Sequence, residues 1–119
     1  MRAGEPYLAS DPDLTRDRRA ATLWMARFNA ASASPERDLQ ALLPEGLGQV
    51  GRGAFVRPPF HCDYGYNIRL GDHVFLNFNC VGLDGAAGEI GAGTQSGPGA
   101  QILTAEHPRE ARLRATGVE

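Results

Sequence analysis

A repeat of six residues predicts a mainly β chain, a parallel solenoid of hexapeptides preceded by a small α-helical cap. Gly65 and Gly71, and again Gly91 and Gly97, are six residues apart. The position before these glycines holds Tyr64, Leu70 and Ile90, with Ser96 as a polar exception; sixes continue that large column through Leu76 and Ile102. A second, mostly small column holds Cys62, Ile68, Val74, Cys80, Thr94 and Ala100. One large and one small inward column per hexad suits a prism of short strands, with a coil of roughly 18 residues.

The cap comes first, over 1–49. Asp11 is placed to N-cap a helix and Pro12 fits its first position. Leu14, Ala21, Trp24 and Phe28 share a face, with Met25 beside it, and the helix should end near Asn29 to Ser32. Ser34-Pro35-Glu36 repeats the start signal. Leu39, Leu42 and Leu43 give a short apolar face that Pro44 and Gly46 should stop. Two such helices can cover the end of a solenoid, whose first backbone edge would otherwise be bare.

The coils occupy 50–108, with Val50 to Arg57 as the entry strand. Gly82 to Glu89 is two residues longer than a hexad, which predicts an enlarged corner before the register resumes at Ile90. Gly88 and Ser96 interrupt the apolar pattern, and Ser96 would turn a hydroxyl inward that needs a partner. The stretch 109–119 follows no hexad and forms a polar tail.

The 119 residues carry 42% hydrophobic side chains and a net charge of -2, which suits one globular unit. No basic stripe points to nucleic acid; Arg16, Arg18 and Arg19 are interleaved with Asp13 and Asp17 as on a solvated helix face. No apolar run approaches the ~20 residues of a membrane span. Met1 to Glu5 has no signal-peptide core, so the expected location is the cytoplasm. Cys62 and Cys80, 18 apart, should then stack in adjacent coils as buried thiols.

The run HCDYGYNIRLGDHVFLNFNCVGLD, the later TAEHP and the final RATGVE resemble the maltose and galactoside O-acetyltransferases, which are hexapeptide-repeat acyltransferases. AGEPYLASDPDLTRDR resembles their helical cap. The resemblance covers nearly the whole chain, in order. It implies a left-handed β-helix, acetyl-CoA as co-substrate, a sugar hydroxyl as acceptor, and homotrimers with active sites between subunits. It also implies that the chain answers to the N-terminal portion only, because further coils in the family form much of the coenzyme A channel.

His107, in TAEHP, is the candidate catalytic residue. On residues alone it is either an ordinary loop histidine or a base titrating near neutrality. The resemblance gives it the base's role, taking the acceptor proton and returning it to the coenzyme A thiolate. Asn77 and Asp63 answer to positions that contact acceptor and acetyl group, Asn77 also touching the cofactor. An outward Asn can donate to a developing oxyanion, or simply ladder with its neighbours. Asp63 is the maltose-type residue, where galactoside-type members have Ser. Ala9 stands where galactoside-type members carry Asp. Asp84 is a further acceptor candidate, or the anchor of a Gly-rich turn. Glu119 answers to a Glu near the catalytic loop, and Glu106 reads as a solvated neighbour of His107.

Three histidines also raise a metal-dependent hydratase. His61 and His73 are twelve apart, on different faces, and zinc needs three or four converging ligands. No metal is therefore expected. The main alternative is a truncated or degenerate relative with no turnover and only a structural or subunit role. With the base in place but little to grip the thioester, the isolated 119-residue chain should show negligible thiol release from acetyl-CoA with glucose, maltose or a galactoside. Positioning contributes ~7–11 kcal/mol to such a transfer, so brisk His107-dependent release would refute that expectation.

Overall fold

The computed structural model describes residues 7–104 and 107–118. It is a left-handed parallel β-helix behind a helical pair. Helix α1 (Pro12–Ala30) starts at Asp11, whose carboxylate accepts the N–H groups of Asp13 and Leu14. It buries Ala21, Trp24 and Phe28. Helix α2 (Glu36–Gly46) starts one residue later than the Ser-Pro signal suggests, with Pro35 at the cap position and no side-chain cap. Pro44 lies within α2 rather than ending it. A proline removes only one donor, and the last turn closes beyond it, with the Leu47 N–H on the Leu43 carbonyl at 2.9 Å.

The coils contain β1 (Gln49–Val50), β2 (Phe55–Val56), β3 (Phe60–Cys62), β4 (Ile68–Leu70), β5 (Phe75–Leu76), β6 (Cys80–Leu83), β7 (Gly88–Ile90), β8 (Gln95–Ser96) and β9 (Gln101–Leu103). They stack as three parallel sheets, β1-β4-β7, β2-β5-β8 and β3-β6-β9. The expected entry strand is thus split by a corner into β1 and β2.

The coil is longer than eighteen residues. Val50 lies opposite Leu70 and Leu70 opposite Ile90, twenty residues per turn. The sequence reveals the enlarged corner after Gly82 but hides its counterpart at 63–67, where the same two residues are added. Gly65 makes that first corner possible. Its φ is +82°, and a Cβ there would collide with the Gly46 carbonyl. The longer coil shifts the cysteines out of line. Cys62 faces Gly82, and Cys80 faces Phe60. Both are buried free thiols. Tyr64 likewise leaves the large column and sits in the corner.

The columns themselves persist as Val50/Leu70/Ile90, Val56/Leu76/Ser96 and Cys62/Gly82/Ile102. Leu70 and Leu76 are buried and Ile90 is half-buried, but Ile102 is 37% exposed. It belongs to the last described coil, whose interior has no further coil stacked on it among the described residues. Ser96 resolves its inward hydroxyl by accepting the Asn77 N–H at 3.3 Å and lying 3.4 Å from the Cys80 thiol.

Cap and coils share one core. Trp24 stacks on Phe28 at 5.3 Å and meets Phe60 edge-on at 6.4 Å. The Asn29 amide accepts the Phe60 N–H and donates to the Phe60 carbonyl, at 2.8 and 3.0 Å. The first coil's edge is thereby covered at β3, as an exposed strand edge requires. The tail holds a short helix α3 (Ala111–Arg114) and returns to the cap through an antiparallel Leu8–Val118 bridge.

Burial, with the nearby charges of Asp84 and Asp63, pushes the Cys62 thiol from its ordinary value of 9.0 up to about 12. Between these values the unfolded chain loses a proton that the native thiol keeps. Stability should therefore fall as pH rises above 9.0, by up to about 1.4 kcal/mol per pH unit from this group. Urea midpoints across that range, with Cys62→Ala losing much of the slope, check this.

Candidate functional site

The three faces of the prism differ in chemistry. On β1-β4-β7 the outward row is Gln49, Arg69 and Glu89, the last two 3.9 Å apart as an exposed ion pair. On β2-β5-β8 it is Phe55, Phe75 and Gln95, with the two rings stacked at 6.4 Å. On β3-β6-β9 it is His61, Val81 and Gln101, followed by Leu83 opposite Leu103. The candidate residues gather around this third face, at its two bounding corners.

The first corner precedes β3 and β6 and carries Asn77. Its side-chain carbonyl accepts the Phe78 N–H at 2.8 Å. That contact orients the amide, so its NH2 is the end suited to addressing a substrate oxygen. The Arg57 guanidinium lies 3.6 Å above the neighbouring Phe78 ring, a stacked cation that stiffens the same corner.

The second corner is the enlarged one. Asp63 opens it, half-buried. Asp84 is only 2% exposed. Its two carboxylate oxygens accept the N–H groups of Tyr64 at 2.8 Å and Asn67 at 3.1 Å, while the Asn67 amide donates to the Asp84 carbonyl at 2.9 Å. Asp84 thus braces the corner that displays Asp63. In the next coil Thr104 does similar work, donating to the Leu83 carbonyl and accepting the Ala86 N–H at 2.8 and 2.9 Å.

His107 lies four residues beyond the end of β9, the strand that closes on this second corner, and is exposed. The stretch after it is pinned by Arg114, which donates to the carbonyls of Pro108 and Arg109 at 3.0 and 3.2 Å. Glu106 and Glu119 lie outside the described residues. Asn67, Thr104 and Arg114 were not singled out as site residues from the sequence, although each lies in a run that carries the resemblance. Asn67 also left a local signal, as a turn-forming residue two positions after Gly65.

The two corners are not close. Between Asn77 and Asp84 lie a turn at Phe78 and Asn79 and then β6, whose four extended residues, Cys80–Leu83, alone span roughly 10–13 Å at ~3.3 Å each. Asp63 and the departure point of His107 share one edge of the face, and Asn77 occupies the other. Among the described residues no three His, Cys, Asp or Glu side chains gather where a metal ion could bind. No helix among them is long and apolar enough to cross a membrane.

Residues 1–51 match the maltose acetyltransferase hexapeptide capping motif. The chain is 49% identical over its whole length to nodulation protein L of Rhizobium meliloti, and covers 65% of that relative. It superimposes on a maltose O-acetyltransferase of Clostridium difficile with a TM-score of 0.93 at 34% identity, over 98% of this chain and 62% of that one. A galactoside acetyltransferase in complex with coenzyme A gives 0.91 at 28% identity, over 98% and 58%. The chain therefore spans less than two thirds of the length of these relatives.

Asp84→Ala would orphan two buried N–H groups, at ~1–3 kcal/mol each. The expected outcome is a loss of about 2–5 kcal/mol in urea unfolding. Asp84→Asn, which keeps an acceptor oxygen, should lose less.

Proposed function

We propose that this chain, which resembles the maltose and galactoside O-acetyltransferases along its whole length, supplies the acceptor side and base of an acetyl-CoA-dependent sugar O-acetyltransferase. The observation that carries the reading is the placement of its chemistry. Asp63 and the end of β9, which precedes His107 in sequence, share one edge of the β3-β6-β9 face, and Asn77 stands at the other. The coenzyme A complex of a superimposable relative supports the thioester donor. Two buried free thiols suit a reducing cytoplasm.

In this reading Asp63 accepts a hydrogen bond from the sugar and orients it. An imidazole nitrogen of His107 takes the proton of the acceptor hydroxyl as its oxygen attacks the thioester carbonyl. Carbonyl π electrons move to oxygen, and the Asn77 NH2 stabilises that developing oxyanion while also bordering the coenzyme. The intermediate collapses, the C–S bond breaks, and the imidazolium returns its proton to the departing thiolate. Asp84 acts through the corner it braces, and through it on any acceptor held by Asp63.

The strand between the corners, roughly 10–13 Å long, exceeds the hydrogen-bond reach that a shared reaction centre needs. A homotrimer answers this by setting the His107 corner of one copy against the Asn77 corner of the next. The apolar faces suit that packing, with Phe55 and Phe75 on one side and Val81, Leu83 and Leu103 on the other.

The test uses the full-length protein, assayed by thiol release with maltose or glucose. His107→Ala should abolish turnover while leaving acetyl-CoA binding largely intact, and Asn77→Ala should lower it by about 100-fold or more. If sites form between copies, co-refolding equal amounts of the two inactive variants should restore about a quarter of the sites. Unchanged turnover in His107→Ala would overturn the reading.

A further inference from the structure

A cleft between the cap and the first enlarged corner takes no part in that chemistry. It encloses ≈ 200 Å³, and its walls include Asp17, Ala20, Trp24, Glu45, Tyr64 and Tyr66. The Tyr64 and Tyr66 rings stand 5.6 Å apart, tilted by 34°. Both tyrosines are turned toward the cap by the two residues that enlarge this corner. The Tyr66 hydroxyl donates to the Asp17 carboxylate at 2.9 Å.

The charges around the cleft decide what it suits. Glu45 is answered by Arg27 at 3.1 Å. Arg18 donates to the Tyr64 hydroxyl at 3.1 Å, and its guanidinium lies 5.9 Å from the same ring. Two carboxylates, Asp17 and Glu45, and two guanidinium groups, Arg18 and Arg27, thus surround the cleft, so an organic cation would meet little net charge despite the aromatic walls. A neutral polyhydroxylated ring fits better. Aromatic surface covers its C–H face, and each carboxylate offers about four lone-pair positions for hydroxyls. Of those on Asp17, the Tyr66 hydroxyl occupies one.

The geometry points to a binding subsite for one hexopyranose unit in this cleft, between Asp17 and Glu45 and against Tyr64 and Tyr66. It rests on the sugar-acceptor reading and extends it. Tyr64 adjoins Asp63, their Cα atoms about 3.8 Å apart, so one corner serves both positions. The acceptor is then a saccharide of at least two units, with one ring in the cleft and the reacting ring at Asp63.

Trp24 is the chain's single tryptophan, and its place in the cleft wall makes it a reporter. Full-length protein is titrated with maltose, methyl α-D-glucopyranoside and tetramethylammonium chloride, without acetyl-CoA, following tryptophan emission. Maltose should give a saturable change with Kd of about 1–10 mM. Ala20→Leu fills the cleft from an exposed helix position, and Asp17→Asn removes the carboxylate. Each should weaken maltose binding about tenfold with the circular dichroism of the fold unchanged. No maltose response, or a stronger one to tetramethylammonium, overturns the subsite. So does maltose binding that both variants leave intact, which would put the sugar elsewhere and spare the acceptor reading. Maltose binding lost in both variants, in a protein that releases no thiol, would uphold the subsite and sink the transferase instead.

Discussion

The buried carboxylate of Asp84 is the contact on which the rest of the site depends. A carboxylate inside a protein is costly unless its oxygens are satisfied. Here it is satisfied by the N–H groups of the neighbouring coil's corner. The bond runs between coils, so it fixes the vertical register of the solenoid as well as the shape of one turn. It also explains why a two-residue enlargement can recur in the same place without unravelling the stack. Each enlarged corner is braced by the next, Asp84 under one and Thr104 under the other.

The cap follows from a second constraint. Short strands leave a row of backbone groups at the first coil, and the cap meets them with Asn29 and with Gln40, which donates to the Ala54 carbonyl at 3.3 Å. Gly46 brings the end of α2 so close to α1 that any Cβ there would overlap the Trp24 indole. Its carbonyl in turn stands where a Cβ on Gly65 would fall, so the corner turns directly against the end of α2. Cap, corner and cleft are therefore one construction, and a change in one would be felt in the others.

The period of six was legible because the inward columns repeat it directly. The cap was legible because Asp11 and Pro12 are strong local signals. The coil length was not, because the corner at 63–67 is written in residues that continue the apparent hexads. Tyr64 before Gly65 looks like Leu70 before Gly71, and only pairing with Asp84 shows that it is not. The helix stop at Pro44 failed for a related reason, since tertiary packing against Trp24 outweighs one missing donor. For the site, Asp63, Asn77 and His107 were singled out through the family resemblance, since on residues alone a loop histidine and an outward asparagine keep ordinary readings. Asp84 was found for its chemistry, while the structure shows it serving the backbone. Arg114 opens the RATGVE run, but its bonding role was hidden because its partners are main-chain carbonyls, which any residue supplies.

The distribution of chemistry over the prism has a consequence for how such a chain works. Its polar face carries Arg69 and Glu89, whereas the aromatic face and the face between the candidate corners are the apolar ones. Burying those two faces against copies of the chain favours association through the hydrophobic effect. Under the proposed function it would also bring together corners that a single prism holds a strand's length apart. Association and assembly of the site then share one driving force. On the proposed function, a monomer would keep every candidate residue in its native place and still lack a reaction centre, because the strand between the corners sets the distance that separates them.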